Sequence, residues 1–212
     1  MIAVKRRLAL FTLFAGAAWL ATPTTADAQG VFEGGIGYEI PGSTMSDYLN
    51  GGVDFALLLG YQFQQRYTVS FFGSISLLSG KTVSVPGAIA PVRMPDIDLF
   101  RWGLGLDANV LKPGSPAEFL ITGFIGFTTA SVPGTSSVIC NPFCWVTPGV
   151  SQTNFSTGVG AQVNYKVNRR VAVGVNAKYF WIFGVNTAAQ VVGNASSTIS
   201  SIPITGIVRV YQ

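Results

Sequence analysis

The sequence predicts an all-β fold, an eight-stranded antiparallel up-and-down transmembrane β-barrel with short turns at one end and long loops at the other. Three observations predict it. First, apolar and other residues alternate with a period of two over long segments. The clearest of these is Phe155 to Val167, where Phe155, Val159, Ala161, Val163 and Tyr165 alternate with Ser156, Gly158, Gly160, Gln162 and Asn164. Successive strand side chains point to opposite faces, so each such segment has one apolar face and one polar face. Second, these segments run to about 9 to 11 residues or more, the length of a membrane-spanning strand, against about 5 to 6 in soluble domains. Third, the connections between them are long and short by turns.

Composition agrees with this. Of 212 residues, 49% are hydrophobic and only 10% charged. After the first thirty residues no apolar stretch is long enough for a spanning helix. A closed barrel is the other structure that satisfies every backbone group in lipid. The amino terminus reads separately: Lys5, Arg6 and Arg7 precede an apolar run from Leu8 to Leu20, and Ala26-Asp27-Ala28 is a small-x-small cleavage site. This predicts a secretory signal peptide over residues 1–28, cleaved before Gln29, and one barrel domain over residues 29–212. Removing its three basic residues and Asp27 leaves ten basic and eight acidic side chains, or +2. Those cations are scattered, which excludes a nucleic-acid patch.

Taken in order, the first strand covers Val31 to Ile40, with Phe32, Ile36, Tyr38 and Ile40 outward and Glu33, Gly35, Gly37 and Glu39 inward. A loop from Pro41 to Gly52 follows. The second strand, Val53 to Phe63, turns Asp54, Leu58 and Gln62 inward, and Gln64 to Arg66 is a turn. The third, Tyr67 to Leu78, alternates Thr68, Ser70, Ser74 and Ser76 against Val69, Phe71, Ile75 and Leu77. Three prolines and two glycines make Ser79 to Pro95 a loop. The fourth strand, Asp96 to Val110, places Arg101, Asp107 and Asn109 opposite Phe100, Trp102, Leu104 and Leu106, and Lys112-Pro-Gly-Ser-Pro116 is a tight turn. The fifth, Ala117 to Thr129, is apolar on both faces, but Glu118 and Thr122 set Phe119, Ile121, Ile125 and Phe127 toward lipid. A long loop, Ala130 to Gln152, leads to the sixth strand. After a break at Asn168 and Arg169, the seventh runs from Val171 to Phe183 with Asn176 and Lys178 inward. Val185 to Ser200, rich in Ser, Thr and Asn, precedes the eighth strand, Ile202 to Tyr211. Aromatic residues collect at both ends of the strands, as membrane interfaces require. Phe32, Tyr61, Phe63, Tyr67, Tyr165 and Tyr211 form one girdle, and Tyr38, Phe100, Trp102, Phe127, Phe155, Trp181 and Phe183 the other.

In signal peptide, strand count and loop pattern, residues 29–212 resemble the small eight-stranded outer-membrane proteins of the OmpA transmembrane-domain and OmpX type. The resemblance implies a bacterial outer-membrane location, short periplasmic turns, external loops, and contact with outer-membrane lipid, lipopolysaccharide and the barrel-assembly machinery. One departure is that such chains commonly end in an aromatic residue, whereas here Tyr211 is penultimate and Gln212 is last.

An eight-stranded barrel is narrow enough to be filled by its own side chains. Glu33, Glu39, Asp54, Arg101, Asp107, Glu118, Lys166, Lys178 and Arg209 fall on the inward face. Such charges must be paired or hydrated. Counting from the turns puts Glu39, Asp54, Arg101 and Lys178 in an upper group and the others lower, with both signs at each level. This set predicts an internal charge network that plugs the barrel, with an ion or proton path, or a gate, as the other reading. Leu58, Phe72, Leu78, Phe180 and Ile182 are the candidate lining of an apolar pocket. A pocket of that kind would resemble OmpW-like narrow channels for small hydrophobic molecules. Enzymes on similar barrels, among them lipid A deacylases, palmitoyl transferases and proteases, rely on histidine. The chain contains no histidine, so the usual activation of a serine is missing and no catalytic, cofactor or metal site is expected. Cys140 and Cys144, in Cys-Asn-Pro-Phe-Cys on the third external loop, are expected to form a local disulfide in an exported protein.

Overall fold

The structure, a computed structural model, describes residues 28–42, 45–84, 91–132, 135–140, 144–147, 149–184 and 198–212. The signal segment expected over residues 1–28 lies outside the described residues except for Ala28, which already belongs to the first strand. Eight strands, β1 (Ala28–Gly42), β2 (Leu49–Phe63), β3 (Tyr67–Gly80), β6 (Ile97–Asn109), β7 (Ala117–Val132), β10 (Val150–Lys166), β11 (Val171–Phe183) and β12 (Thr198–Tyr211), close into a barrel. Every neighbour is antiparallel, and β1 pairs with β12 to complete the ring. The fold class and the order of short and long connections are as the alternation predicts.

The strand ends differ from the sequence reading. The strands run on into the expected loops, so β7 reaches Val132 and β10 begins at Val150. Between Gly42 and Leu49 lies a short helix, α1 (Met45–Tyr48). Two small ladders, β4 (Thr82–Val83) with β5 (Val92–Arg93) and β8 (Thr135–Cys140) with β9 (Cys144–Thr147), stand where only loop was expected. They are short and lack the long apolar alternation of a lipid-facing strand, so nothing in the pattern marks them.

Register fixes the shape of the barrel. Directly opposed residues lead from Val31 through Gly60, Ser70, Gly105, Phe124, Gly158, Phe180 and Ser201 back to β1 at Pro41, ten residues beyond the start. With a rise of about 3.3 Å per residue and about 4.8 Å between strands, that stagger sets a tilt of roughly 40°, within the range of closed barrels. Each step around the ring therefore climbs, and the height of a residue depends on its strand as well as its number.

The outside is apolar, as lipid demands: Leu104, Ile125, Val159, Val163 and Tyr165 are all more than half exposed. Tyr211 is a correction to the aromatic girdle. It shares the parity of Arg209 and points inward, only 2% exposed. Small residues make room inside. A methyl group at Gly158 would overlap the Phe124 ring, and one at Gly37 would overlap the backbone of Ile204 across the β1–β12 seam.

The turn between β2 and β3 carries strain. Gln64 and Gln65 both adopt the left-handed conformation, at φ 51° and 53°, while Arg66 N–H donates to the Phe63 carbonyl at 2.9 Å. Left-handed backbone costs a residue with a Cβ about 1–2 kcal/mol, and Asn-Gly is the pair suited to such a turn. The double substitution Gln64→Asn, Gln65→Gly is therefore expected to stabilise the barrel by about 1–2 kcal/mol. Urea unfolding in lipid vesicles would show a higher midpoint with an unchanged slope.

Candidate functional site

The inward residues assemble into layers. Nearest the short turns, Arg209 is fully buried and bridges Glu33 Oε2 at 2.7 Å and Asp107 Oδ2 at 2.8 Å. Gln162 Nε2 donates to the same Glu33 oxygen at 2.8 Å and to Asn164 Oδ1 at 3.1 Å, and Asn164 Nδ2 donates to Glu118 Oε2 at 3.2 Å. Glu118 also meets Lys166 Nζ at 3.0 Å and accepts a hydrogen bond from Tyr211. The Lys166 ammonium lies 5.5 Å from the centre of the Tyr211 ring. The unusual inward turn of this aromatic residue thus gives Glu118 a donor.

Above this layer sit three rings. Phe72 and Phe124 pack edge to face with centroids 4.9 Å apart, and Phe180 lies 4.0 Å from Phe124. They belong to one buried apolar cluster with Val31, Leu58 and Ala172. Phe124 escaped the sequence reading because its strand is apolar on both faces. The parity set by Glu118 and Thr122 was the signal that it points inward.

The upper charged layer rests on the rings, with the Arg101 guanidinium 4.6 Å from the Phe180 centroid. Arg101 grips both oxygens of Glu39. It also donates to Ser76 Oγ and Ser201 Oγ, each at 2.8 Å. Ser76 in turn donates to Asp54 Oδ1 at 2.7 Å, and Thr205 Oγ1 to Asp54 Oδ2 at 3.2 Å. Arg101, Glu39 and Asp54 are all essentially fully buried. At the top, Leu78, Leu99, Ile182 and Ile199 form a second apolar cluster with Met45 of α1 and Leu49 at the start of β2.

The nine inward charges therefore divide between two levels, with one exception. Lys178 is 9% exposed and forms no ion pair among the described residues, although the sequence grouped it with Glu39, Asp54 and Arg101. It lies lower than that group, beside an internal cavity of about 10 Å³ that both Glu33 and Asp54 also line. The five residues expected to line one apolar pocket are not brought together: Leu58, Phe72 and Phe180 lie in the lower cluster, Leu78 and Ile182 in the cap. Among the described residues no group of three or more His, Cys, Asp or Glu side chains is placed to hold a metal. The side chains of Cys140 and Cys144 lie outside the described residues, but their backbones are direct partners in the β8–β9 hairpin.

Four of the five inward carboxylates, Glu33, Glu39, Asp107 and Glu118, are held against fixed cations, and the cavity beside Glu33 and Asp54 is about the size of one water. Comparison with known proteins agrees with the architecture. Residues 8–200 match the family model for the outer membrane protein beta-barrel domain. The chain is similar to the crystal structure of Neisserial surface protein A, with a TM-score of 0.57 and 18% identity over 86% of this chain and 97% of that one. It is also similar to the outer membrane protein OprG from Pseudomonas aeruginosa, with a TM-score of 0.53 and 11% identity over 88% of this chain and 96% of that one. No curated protein matches the sequence.

Proposed function

The chain belongs to the family of outer membrane protein β-barrel domains and lies in the bacterial outer membrane, and on that premise we propose that it is a non-enzymatic barrel with a closed interior that works through its external end. The observation that carries this reading is the stack of two ion-paired layers with an aromatic layer between them, beside a cavity of only about 10 Å³. Packing of this kind argues against passage of a hydrated ion or an organic solute. The absence of histidine from the sequence supports a non-catalytic role. Lipopolysaccharide is the natural neighbour of the external strand ends, and the barrel-assembly machinery the agent that inserts the chain after removal of residues 1–28. The purified barrel in planar bilayers is expected to show no discrete conductance steps. Stable openings, or saturable flux of a small hydrophobic solute, would instead favour a narrow OmpW-like channel.

At the external end, the β8–β9 hairpin is the best-defined device for contact. Direct antiparallel partners have Cα atoms about 4.5–5.5 Å apart, inside the range a disulfide spans. We expect Cys140 and Cys144 to be oxidised to each other in the exported protein. Because the bridge closes so short a loop, it adds at most about 2 kcal/mol to stability and chiefly shapes the hairpin tip. Alkylation of freshly extracted, unreduced protein should add no mass at either cysteine.

A further inference from the structure

The lipid face carries an apolar hollow at its periplasmic end. Two neighbouring rows of outward side chains frame it. In the row nearer the midplane, register sets Phe32 beside Leu59, Phe71 and Leu104, a large apolar side chain on every strand. In the row nearer the turns, Gly30 is paired with Tyr61 and Tyr61 with Val69, so β1 contributes no side chain there. The hollow that results has a volume of about 300 Å³ and is lined mainly by these residues. That is the lower end of the range for small-ligand sites, room for part of one hydrocarbon chain. Tyr61, Phe63 and Tyr67 belong to the aromatic girdle on this side. The hollow therefore starts at the girdle and runs toward the midplane, at the depth of acyl chains rather than of headgroups.

Headgroups at this interface meet the short turns. Arg66, Lys112, Arg169 and Arg170 are exposed there, and no carboxylate lies on any of these turns. The acids of this end, Glu33, Asp107 and Glu118, are buried inside the barrel and held by Arg209 and Lys166. The external end is different. Among the described residues it mixes Lys81 and Arg93 with Asp47, Asp96 and Asp98, and Arg93 lies 3.8 Å from Asp96. Positive charge without an exposed acid beside it is thus confined to the periplasmic rim. Arg66 stands in the turn that joins β2 and β3, the strands at the centre of the hollow. It is three residues from Val69, about 10 Å along the chain. Its backbone is held from both sides: the N–H donates to the Phe63 carbonyl at 2.9 Å, and Asn109 N–H donates to its carbonyl at 2.7 Å.

We propose that the hollow and Arg66 together seat an anionic phospholipid of the periplasmic leaflet, with one acyl chain along the hollow and the phosphate against the Arg66 guanidinium. A guanidinium suits a phosphate because it donates two parallel hydrogen bonds, and at the membrane interface the attraction is screened less than in free solution. The other three cations draw anionic headgroups to the rim without selecting the hollow. This inference goes beyond the closed-interior reading and needs only the membrane location, so either can fail alone.

The barrel is folded into phosphatidylcholine vesicles that carry a trace of phosphatidylglycerol, or of phosphatidylcholine, with a photoactivatable diazirine in one acyl chain, and the labelled peptides are located by mass spectrometry. In wild type, labelling of β2 and β3 by phosphatidylglycerol should exceed that by phosphatidylcholine about fivefold. Arg66→Gln should bring the two lipids level, while Arg169→Gln should keep most of the preference. Gly30→Leu fills the hollow, since a Cβ at Gly30 meets only Gln212, at 3.5 Å, and it should cut labelling there by both lipids several-fold. Val69→Phe serves the same purpose if the Gly30 variant does not give a folded, heat-modifiable barrel. Equal labelling by the two lipids in wild type overturns the proposal and leaves ordinary boundary lipid. Equal losses in Arg66→Gln and Arg169→Gln overturn the seat by tracing the preference to the whole rim. Labelling unchanged in a folded Gly30→Leu or Val69→Phe barrel overturns the role of the hollow.

Discussion

Replacing Arg101 with Leu is expected to lower the folding free energy of the barrel by about 3–5 kcal/mol, the usual consequence of stranding one member of a buried pair. Arg101 is fully buried and satisfies both oxygens of Glu39 as well as the hydroxyls of Ser76 and Ser201. Leucine leaves Glu39 in the interior beside the Ser76 hydroxyl at 3.2 Å, whose one proton is shared with Asp54 at 2.7 Å, and removes the cation from the Phe180 face. The companion variant Arg101→Leu with Glu39→Gln should recover part of the loss, because the stranded charge has gone. Unfolding in urea from lipid vesicles measures both. Equal stability of Arg101→Leu and wild type would mean that the upper layer is hydrated rather than ion-paired.

Three residues along the same strand the rule inverts. Leu104 is 58% exposed on the lipid face, and Leu104→Arg is expected to destabilise the barrel by roughly 2–4 kcal/mol, the range for a lipid-facing Arg near the bilayer midplane. Leu104→Val should change little, since lipid imposes no fitted shape. Removing a positive charge at position 101 and adding one at position 104 thus act in the same direction. A one-residue slip of β6 would exchange the two environments, so the pair of measurements reports the register directly.

Much of this was legible in the chain because a period of two is unambiguous when one face meets lipid. Arg101 and Leu104 differ in parity, and parity alone assigns them to opposite faces. Where the reading failed, the pattern was silent or a level was judged by counting from a turn. Residue type alone places Tyr211 in a girdle, although Arg209 two positions earlier sets its side of the strand. Distance from a turn groups Lys178 with Arg101, although it lies beside the lower cavity that Glu33 also lines. The small ladder of β8 and β9 has no lipid-facing side and so left no alternation to find.

The seam between β1 and β12 has a consequence for how the barrel forms. Seven of the eight contacts around the ring join successive barrel strands, but Val31 meets Tyr211 across almost the whole described sequence. Ordering a loop of that length before any contact repays it makes this the slowest pairing to nucleate, and hairpins formed locally will wait for it. Gly37, whose missing side chain lets β1 settle against Ile204, therefore sits on the step that commits the chain. An alanine there would slow insertion far more than it would hasten unfolding, and the two rates, followed separately by the band shift of the folded barrel, would reveal which strands meet last.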